Sequence, residues 1–264
     1  MRSFISLLLL LGCVWGRAQD SVTHVTIGVS ANTGLNYYGR VDSLHSSGGG
    51  PFVGVQFRNG LYLNGNAVFI HNAQQTRYAA TLIEGGYNFR NKKNTVAGNL
   101  STTRYLYQGD IDLVQSAVKQ SVTASVTFLN KGVNVTLGGD VKFSGQADPG
   151  AQMGLDHIIR WSGVFRSCVV VLDPSVYAYA GTQHFTQSWL QQKKFLFLPA
   201  GEEVLTSGSR RFDILSYELS LPMILAYKKL QFILSPAYVL PQHLLSDTEA
   251  KNLFYMTGIV KFTL

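Results

Sequence analysis

The chain has 264 residues, with 22 Lys and Arg against 15 Asp and Glu, a formal charge of +7. This excess is modest and scattered along the sequence, which argues against nucleic acid as a partner. Of its two cysteines, Cys13 falls within a leader segment, so Cys168 stands alone in the remaining chain and no intrachain disulfide can form.

The first 18 residues read as a secretory signal. Arg2 supplies the positive start. Phe4 to Leu11 is apolar apart from Ser6, and Gly16-Arg17-Ala18 offers small residues at a cleavage position before Gln19. The apolar run is shorter than the roughly 20 residues of a spanning helix. Leu10-Leu11-Gly12-Cys13 gives the alternative of a lipoprotein signal with Cys13 lipidated, an anchor that a closed barrel does not need. Residues 19–264 then form a single domain. No other stretch approaches a transmembrane helix, so a membrane-embedded chain would cross as strands.

Beyond the leader, apolar and polar residues alternate with period two, the mark of strands with one apolar face. Twelve segments carry it: 22–31, 50–58, 61–71, 78–89, 95–107, 117–129, 132–144, 154–166, 168–180, 212–227, 229–239 and 253–264. In the seventh, Val133, Val135, Leu137, Val141 and Phe143 alternate with Asn134, Thr136, Asp140 and Lys142. The tenth sets Leu215, Tyr217, Leu219, Leu221 and Met223 against Ser216, Glu218 and Ser220. The last sets Phe254, Met256, Val260, Phe262 and Leu264 against Tyr255, Thr257, Lys261 and Thr263. A soluble barrel would turn such faces inward. A terminal strand apolar to its last residue suits lipid, and it should close against the strand near Val25, Ile27 and Val29.

The connections alternate in length. Arg58-Asn59-Gly60, 90–94, Asn130-Lys131-Gly132, Arg166-Ser167-Cys168 and Lys228-Lys229 are short. The segments 32–49, 108–116, 145–153, 181–211 and 240–252 are longer, and 72–77 is brief. Short turns at one end and long loops at the other, with an even number of strands, describe an outer-membrane β-barrel with both termini periplasmic. Tyr37, Tyr38, Tyr87, Phe89, Tyr105, Tyr107, Phe128 and Tyr227 lie near strand ends, as interfacial girdles require, although aromatic residues favour strands in any case. Pro174, Pro222 and Pro236 fall inside proposed strands. A closed barrel has no free edge for them, which predicts bulges or shifted strand boundaries there.

The leader ending Gly16-Arg17-Ala18-Gln19, the turn Tyr227-Lys228-Lys229-Leu230, and Ser220-Leu221-Pro222 followed by Ser235-Pro236-Ala237-Tyr238-Val239-Leu240-Pro241 together resemble outer-membrane β-barrel proteins common in Bacteroidota. The resemblance implies location and fold rather than chemistry. Leu264 is the last residue and Phe262 the third from the end, whereas the usual assembly signal ends in an aromatic side chain.

Catalytic patterns are sparse. The six histidines, His24, His45, His71, His157, His184 and His243, show no metal-ligand spacing. Outer-membrane phospholipase motifs pair His with a nearby Ser followed by Asn-Gly. His184 and Ser188 come nearest and lack the Asn-Gly. Asp156-His157, as neighbours on a strand, point to opposite faces. Gly48-Gly49-Gly50-Pro51 lacks the Lys of a phosphate loop and reads as a flexible loop entering a strand. The sequence therefore predicts no enzyme, cofactor or metal site. What remains is the inward face, to which alternation assigns Glu84, Asp140, Lys142, Glu218 and Lys261; Arg58 and Arg104 are ambiguous. Such mixed charges fit either a side-chain network that fills the lumen or a polar path for a small solute. The favoured expectation is a structural, adhesive or assembly barrel with a filled lumen, the alternative is a passive channel or transport component for small solutes, and an outer-membrane hydrolase is the least favoured reading. Membrane lipids and the barrel-assembly machinery are the expected partners. The segment 181–211 is the predicted candidate for a plug.

Overall fold

The computed structural model describes residues 22–41, 44–109, 118–163, 167–182, 211–242 and 252–264. The leader, Cys13, the pair His184 and Ser188, and all but the edges of 181–211 lie outside the described residues.

Seventeen strands are present among them, and twelve close into an antiparallel ring. The ring runs β1 (His24–Asn32), β4 (Ser47–Gln56), β5 (Leu61–His71), β6 (Thr76–Arg90), β7 (Val96–Tyr107), β8 (Gln120–Phe128), β9 (Asn134–Phe143), β10 (Ala147–Asp156), β13 (Ser175–Gly181), β14 (Asp213–Ser220), β16 (Leu230–Pro241) and β17 (Leu253–Thr263). β17 pairs with β1, Ile27 opposite Phe262 and Val29 opposite Val260, so the terminal strand closes the ring. Three short strands prolong ring members: β11 (Ile159–Ser162) continues β10, β12 (Cys168–Leu172) precedes β13, and β15 (Met223–Tyr227) continues β14. The hairpin β2 (Asn36–Tyr37) and β3 (Arg40–Val41) forms a separate two-stranded sheet in the connection between β1 and β4.

The ring's outward face is apolar and open. Ile27, Val53, Leu63, Leu100, Leu137, Met153, Leu219 and Val260 are all exposed and share it by register. In water such a band would be an aggregation surface; against hydrocarbon it is satisfied. Aromatic side chains edge the band. Phe57, Tyr87, Phe89, Phe128, Trp161 and Tyr227 lie toward the short turns, and Phe69, Tyr78, Phe143, Tyr217, Tyr238 and Phe254 toward the loops. This revises half of the sequence-based girdle. Tyr87, Phe89, Phe128 and Tyr227 belong to it, whereas Tyr105 and Tyr107 alternate with outward Leu100 and Leu106 and so point inward. Tyr37 and Tyr38 are on the hairpin, inside the barrel.

Two boundaries also move. The connection expected over 145–153 is a tight turn: β9 ends at Phe143, β10 begins at Ala147, and Gly145 adopts φ +104° with Ser144 N donating to Gln146 O (3.0 Å). The glycine run expected as a loop is strand. Gly49 pairs with Ala31, and a Cβ there would lie 2.1 Å from the Ser30 carbonyl oxygen. Glycine is required because the backbones approach closely, not because the segment needs freedom.

The prolines do not sit at bulges. Register passes unbroken from Asp156–Ser175 to Ile159–Leu172, from Ser175–Ser220 to Leu172–Met223, and from Ser220–Ala237 to Met223–Leu234. At the gaps, His157 N donates to Pro174 O (3.1 Å), Asp173 N to Pro222 O (3.0 Å) and Leu221 N to Pro236 O (3.0 Å). Each pair would carry two backbone bonds in a regular ladder, and each has one because the proline has no N–H. Three prolines thus share one row across four neighbouring strands, and the ladder is thinned there without slipping. The register shifts occur elsewhere, at Val68/Phe69 and Tyr179/Ala180.

Candidate functional site: the lumen and its inward hairpin

The connection after β1 turns into the barrel because its own chemistry makes a compact hairpin. Asn32 Oδ1 accepts from Gly34 N (2.9 Å), Asn36 Oδ1 accepts from Gly39 N (3.2 Å), and Leu35 N donates to Ser46 O (2.7 Å). Tyr38 and Gly39 take φ values of +55° and +77°, the positive region a two-residue hairpin turn demands. Gly39 sits under Pro241, whose Cβ would lie 2.9 Å from an added Cβ.

Side chains of this hairpin meet both walls. Leu35 packs against Ile70 and Ala79 on the β5–β6 side, as Tyr107 of β7 does. On the far side the Tyr38 ring lies 5.3 Å from that of Tyr179 on β13, and Lys142 Nζ on β9 is 5.1 Å from the Tyr38 centroid and 5.9 Å from that of Tyr37. Lys142 also pairs with Asp140, one alternation away on the same strand. The ammonium thus meets a carboxylate and two ring faces, which together offset its removal from water. Arg40 is fully buried and its guanidinium donates to Tyr38 O (3.0 Å). Desolvation pushes the Tyr37 phenol well above its ordinary value and the Tyr38 phenol upward, with Lys142 opposing the latter shift. Arg40 is held down to about 10 by burial and stays cationic at neutral pH.

Toward the short turns, large side chains lie flat against the wall. Phe52 covers Gly28, Tyr62 covers Gly86 and Tyr177 covers Gly154, each with ring atoms within 2.5 Å of where a Cβ would sit. The glycines admit the rings and keep them out of the bore. Tyr62 lies beside Glu84 and accepts from Asn99 Nδ2 (3.0 Å), which also donates to Asn88 Oδ1 (2.8 Å). Glu218 on β14 and Tyr255 on β17 adjoin across β16. Lys261 stands opposite Gln231 in register, alternating with outward Val260 and Phe262.

Glu84, Asp140, Lys142, Glu218 and Lys261 therefore share the concave face without converging. Asp140 and Lys142 meet at the hairpin, while Glu84 and Glu218 each join a tyrosine. Arg58 lies in the β4–β5 turn, and Arg104 faces outward opposite Ile83. Asp156 bonds Asn134 (2.7 Å), whereas His157 Nδ1 meets the Gly132 carbonyl. Among the described residues no three His, Cys, Asp or Glu side chains gather at metal distance. The sequence missed the hairpin's place, although Asn36-Tyr37-Tyr38-Gly39-Arg40 carries a turn signal beside aromatic residues that a solvated loop would not need.

No protein-family model and no curated sequence matches this chain. Among solved structures, the NanC porin is similar over 91% of this chain and 100% of its own, with TM-score 0.49 and 8% identity. The translocator domain of the autotransporter NalP from Neisseria meningitidis covers 99% and 95%, with TM-score 0.48 and 10% identity. LpxR from Salmonella typhimurium covers 90% and 99%, with TM-score 0.46 and 12% identity. These are likenesses of barrel architecture among proteins of different function. The closed ring, its apolar outward band and its aromatic edges are this chain's own, and they make it a barrel of the outer-membrane kind.

Proposed function

We propose that this is an occluded outer-membrane barrel with a structural, adhesive or assembly role at its loop face. In this reading the short turns and both ends of the ring are periplasmic, and the loops face outward. The β2–β3 hairpin carries the proposal, because its half-buried Tyr37 and Tyr38 and its buried Arg40 pack toward β9 and β13 while Leu35 beside them packs toward β5 and β6. A loop that merely hung into a pore would leave these groups wet. We assign no catalytic step to it. Membrane lipids and the barrel-assembly machinery are its expected partners. Planar-bilayer recording tests the reading. The native barrel should show no steady conductance, and replacing residues 36–41 by a Gly-Ser segment of equal length should open it. Stable native openings equal to those of the replacement would overturn the reading. They would favour the second one, a passive route for small solutes, which the flat rings over Gly28, Gly86 and Gly154 support.

A further inference from the structure

Arg104 is the one permanently charged side chain that the described ring strands turn outward. Its position follows from register: Ile83 stands opposite on β6 and Gln120 on β8, and the next outward neighbours on its own strand are Thr102 and Leu106. Leu100 and Leu106 on this face are exposed apolar residues, so the guanidinium leaves the barrel among groups that meet hydrocarbon. Every other Lys, Arg, Asp or Glu within those strands alternates to the concave side. An outward arginine costs roughly 2–4 kcal/mol at the bilayer midplane and about 0–1 near an interface. Arg104 lies three residues from the loop end of β7, or roughly 10 Å of strand, within reach of the headgroups for a long side chain.

Its surroundings are polar in a face that is otherwise not. Gln120 Nε2 donates to Thr102 Oγ1 (3.3 Å), and Thr102 Oγ1 donates to Ser121 O (3.2 Å). Thr81, opposite Leu106, adds a hydroxyl held by Tyr78. These groups form a small hydrogen-bonding island beside a fixed positive charge. Among the described residues, no carboxylate or acceptor pairs with the Arg104 guanidinium. A planar fork of donors with amide and hydroxyl neighbours matches a tetrahedral phosphate oxyanion better than a water-filled interface.

We infer that Arg104, with Gln120 and Thr102, binds the phosphate of a membrane lipid on the outside of the barrel wall near its loop end. The acyl chains of that lipid would lie along Leu100 and Val122, exposed apolar residues on the same face. A lipid is favoured over free phosphate because the site opens sideways from the apolar band, where a soluble ion has no hydrated approach.

The test uses the full barrel folded in micelles, with dioleoyl phosphatidic acid and dioleoylglycerol as probes that differ only in the phosphate. Native mass spectrometry should show phosphatidic acid retained and diacylglycerol not. Arg104→Gln should weaken retention roughly tenfold or more, and Gln120→Leu by a smaller factor. Arg104→Lys, which keeps the charge and loses the fork, should fall between native and Arg104→Gln. Heat-modifiable gel mobility checks that each variant is folded, and the Lys variant keeps the test decisive if Arg104→Gln does not fold. Equal retention by the native barrel and Arg104→Gln, or equal retention of diacylglycerol, overturns the inference. So does displacement of the lipid by millimolar inorganic phosphate alone, because the source would then be the free ion.

Discussion

The wall from β1 through β9 and the wall from β10 through β16 follow the same alternation, yet they carry different inner faces. In the first wall the register shifts once, at Val68/Phe69, and inward side chains such as Asn64, Asn99, Ser125 and Thr136 are polar. In the second, a row of prolines thins the ladder at one level. Between that row and the short turns, the inward positions become Val169, Val171, Ile224 and Ile233. The outward positions there, Val170, Leu225, Phe232 and Leu234, are apolar as well. Register and backbone bonding are therefore separable. Pairing on the outward face holds the register, so three missing donors leave the strands aligned. The hairpin ties the two walls together, through Lys142 on the first and Tyr179 on the second.

Cutting that tie should give the largest effect. Tyr38→Ala removes a half-buried ring that packs on Tyr179 and accepts the Lys142 ammonium on its face. Truncating a fully buried aromatic residue costs about 3–5 kcal/mol, which bounds the loss from above. The loss should fall on the hairpin alone, because ring closure does not depend on it. Amide hydrogen exchange should accelerate over residues 36–41 and stay unchanged in β9 and β13. Unaltered exchange in the hairpin would mean that it is held from elsewhere.

A second pair of substitutions asks whether the walls differ only inside. Leu137 on β9 and Leu234 on β16 are both exposed on the outward face. Arginine at either should cost about 2–4 kcal/mol near the midplane and less toward an interface. Reversible unfolding from lipid vesicles should give values for Leu137→Arg and Leu234→Arg that agree within about 1 kcal/mol. A much smaller cost at Leu234 would show that the proline-crossed wall does not meet lipid at that level.

The ring was legible because its outward face is a repeated apolar stripe and its short turns carry Asn, Gly and Lys. Where the stripe fades, so did legibility. Ala147, Pro149 and Ala151 are outward residues too small to announce a strand, so the sequence over Ala147–Met153 of β10 reads as loop. Aromatic residues were ambiguous for a different reason. Tyr105 is apolar enough for a girdle and polar enough for a lumen, and only the parity set by Leu100 and Leu106 decides between them. The same parity, read strictly, would have turned Arg104 outward. The hairpin's seat could not be read at all, because Tyr38, Lys142 and Tyr179 meet through closure of the ring, which no local window contains.

The smallest expected effect concerns the proline row. In Pro236→Ala the new N–H would point at Leu221, whose own N–H already donates to the residue 236 carbonyl. If the strands are as closely paired there as the register implies, the second bond forms without movement. A backbone hydrogen bond contributes about 0.5–1.5 kcal/mol net, and losing proline's restraint on the unfolded chain returns about 0.4–1 kcal/mol. Stability should therefore change by less than about 1 kcal/mol. Exchange is the sharper readout: the new amide at 236 should be protected, and Leu221 more protected than before. A rapidly exchanging amide at 236 would mean that the strands part at this row and that the prolines mark a seam in the wall, not merely three absent donors.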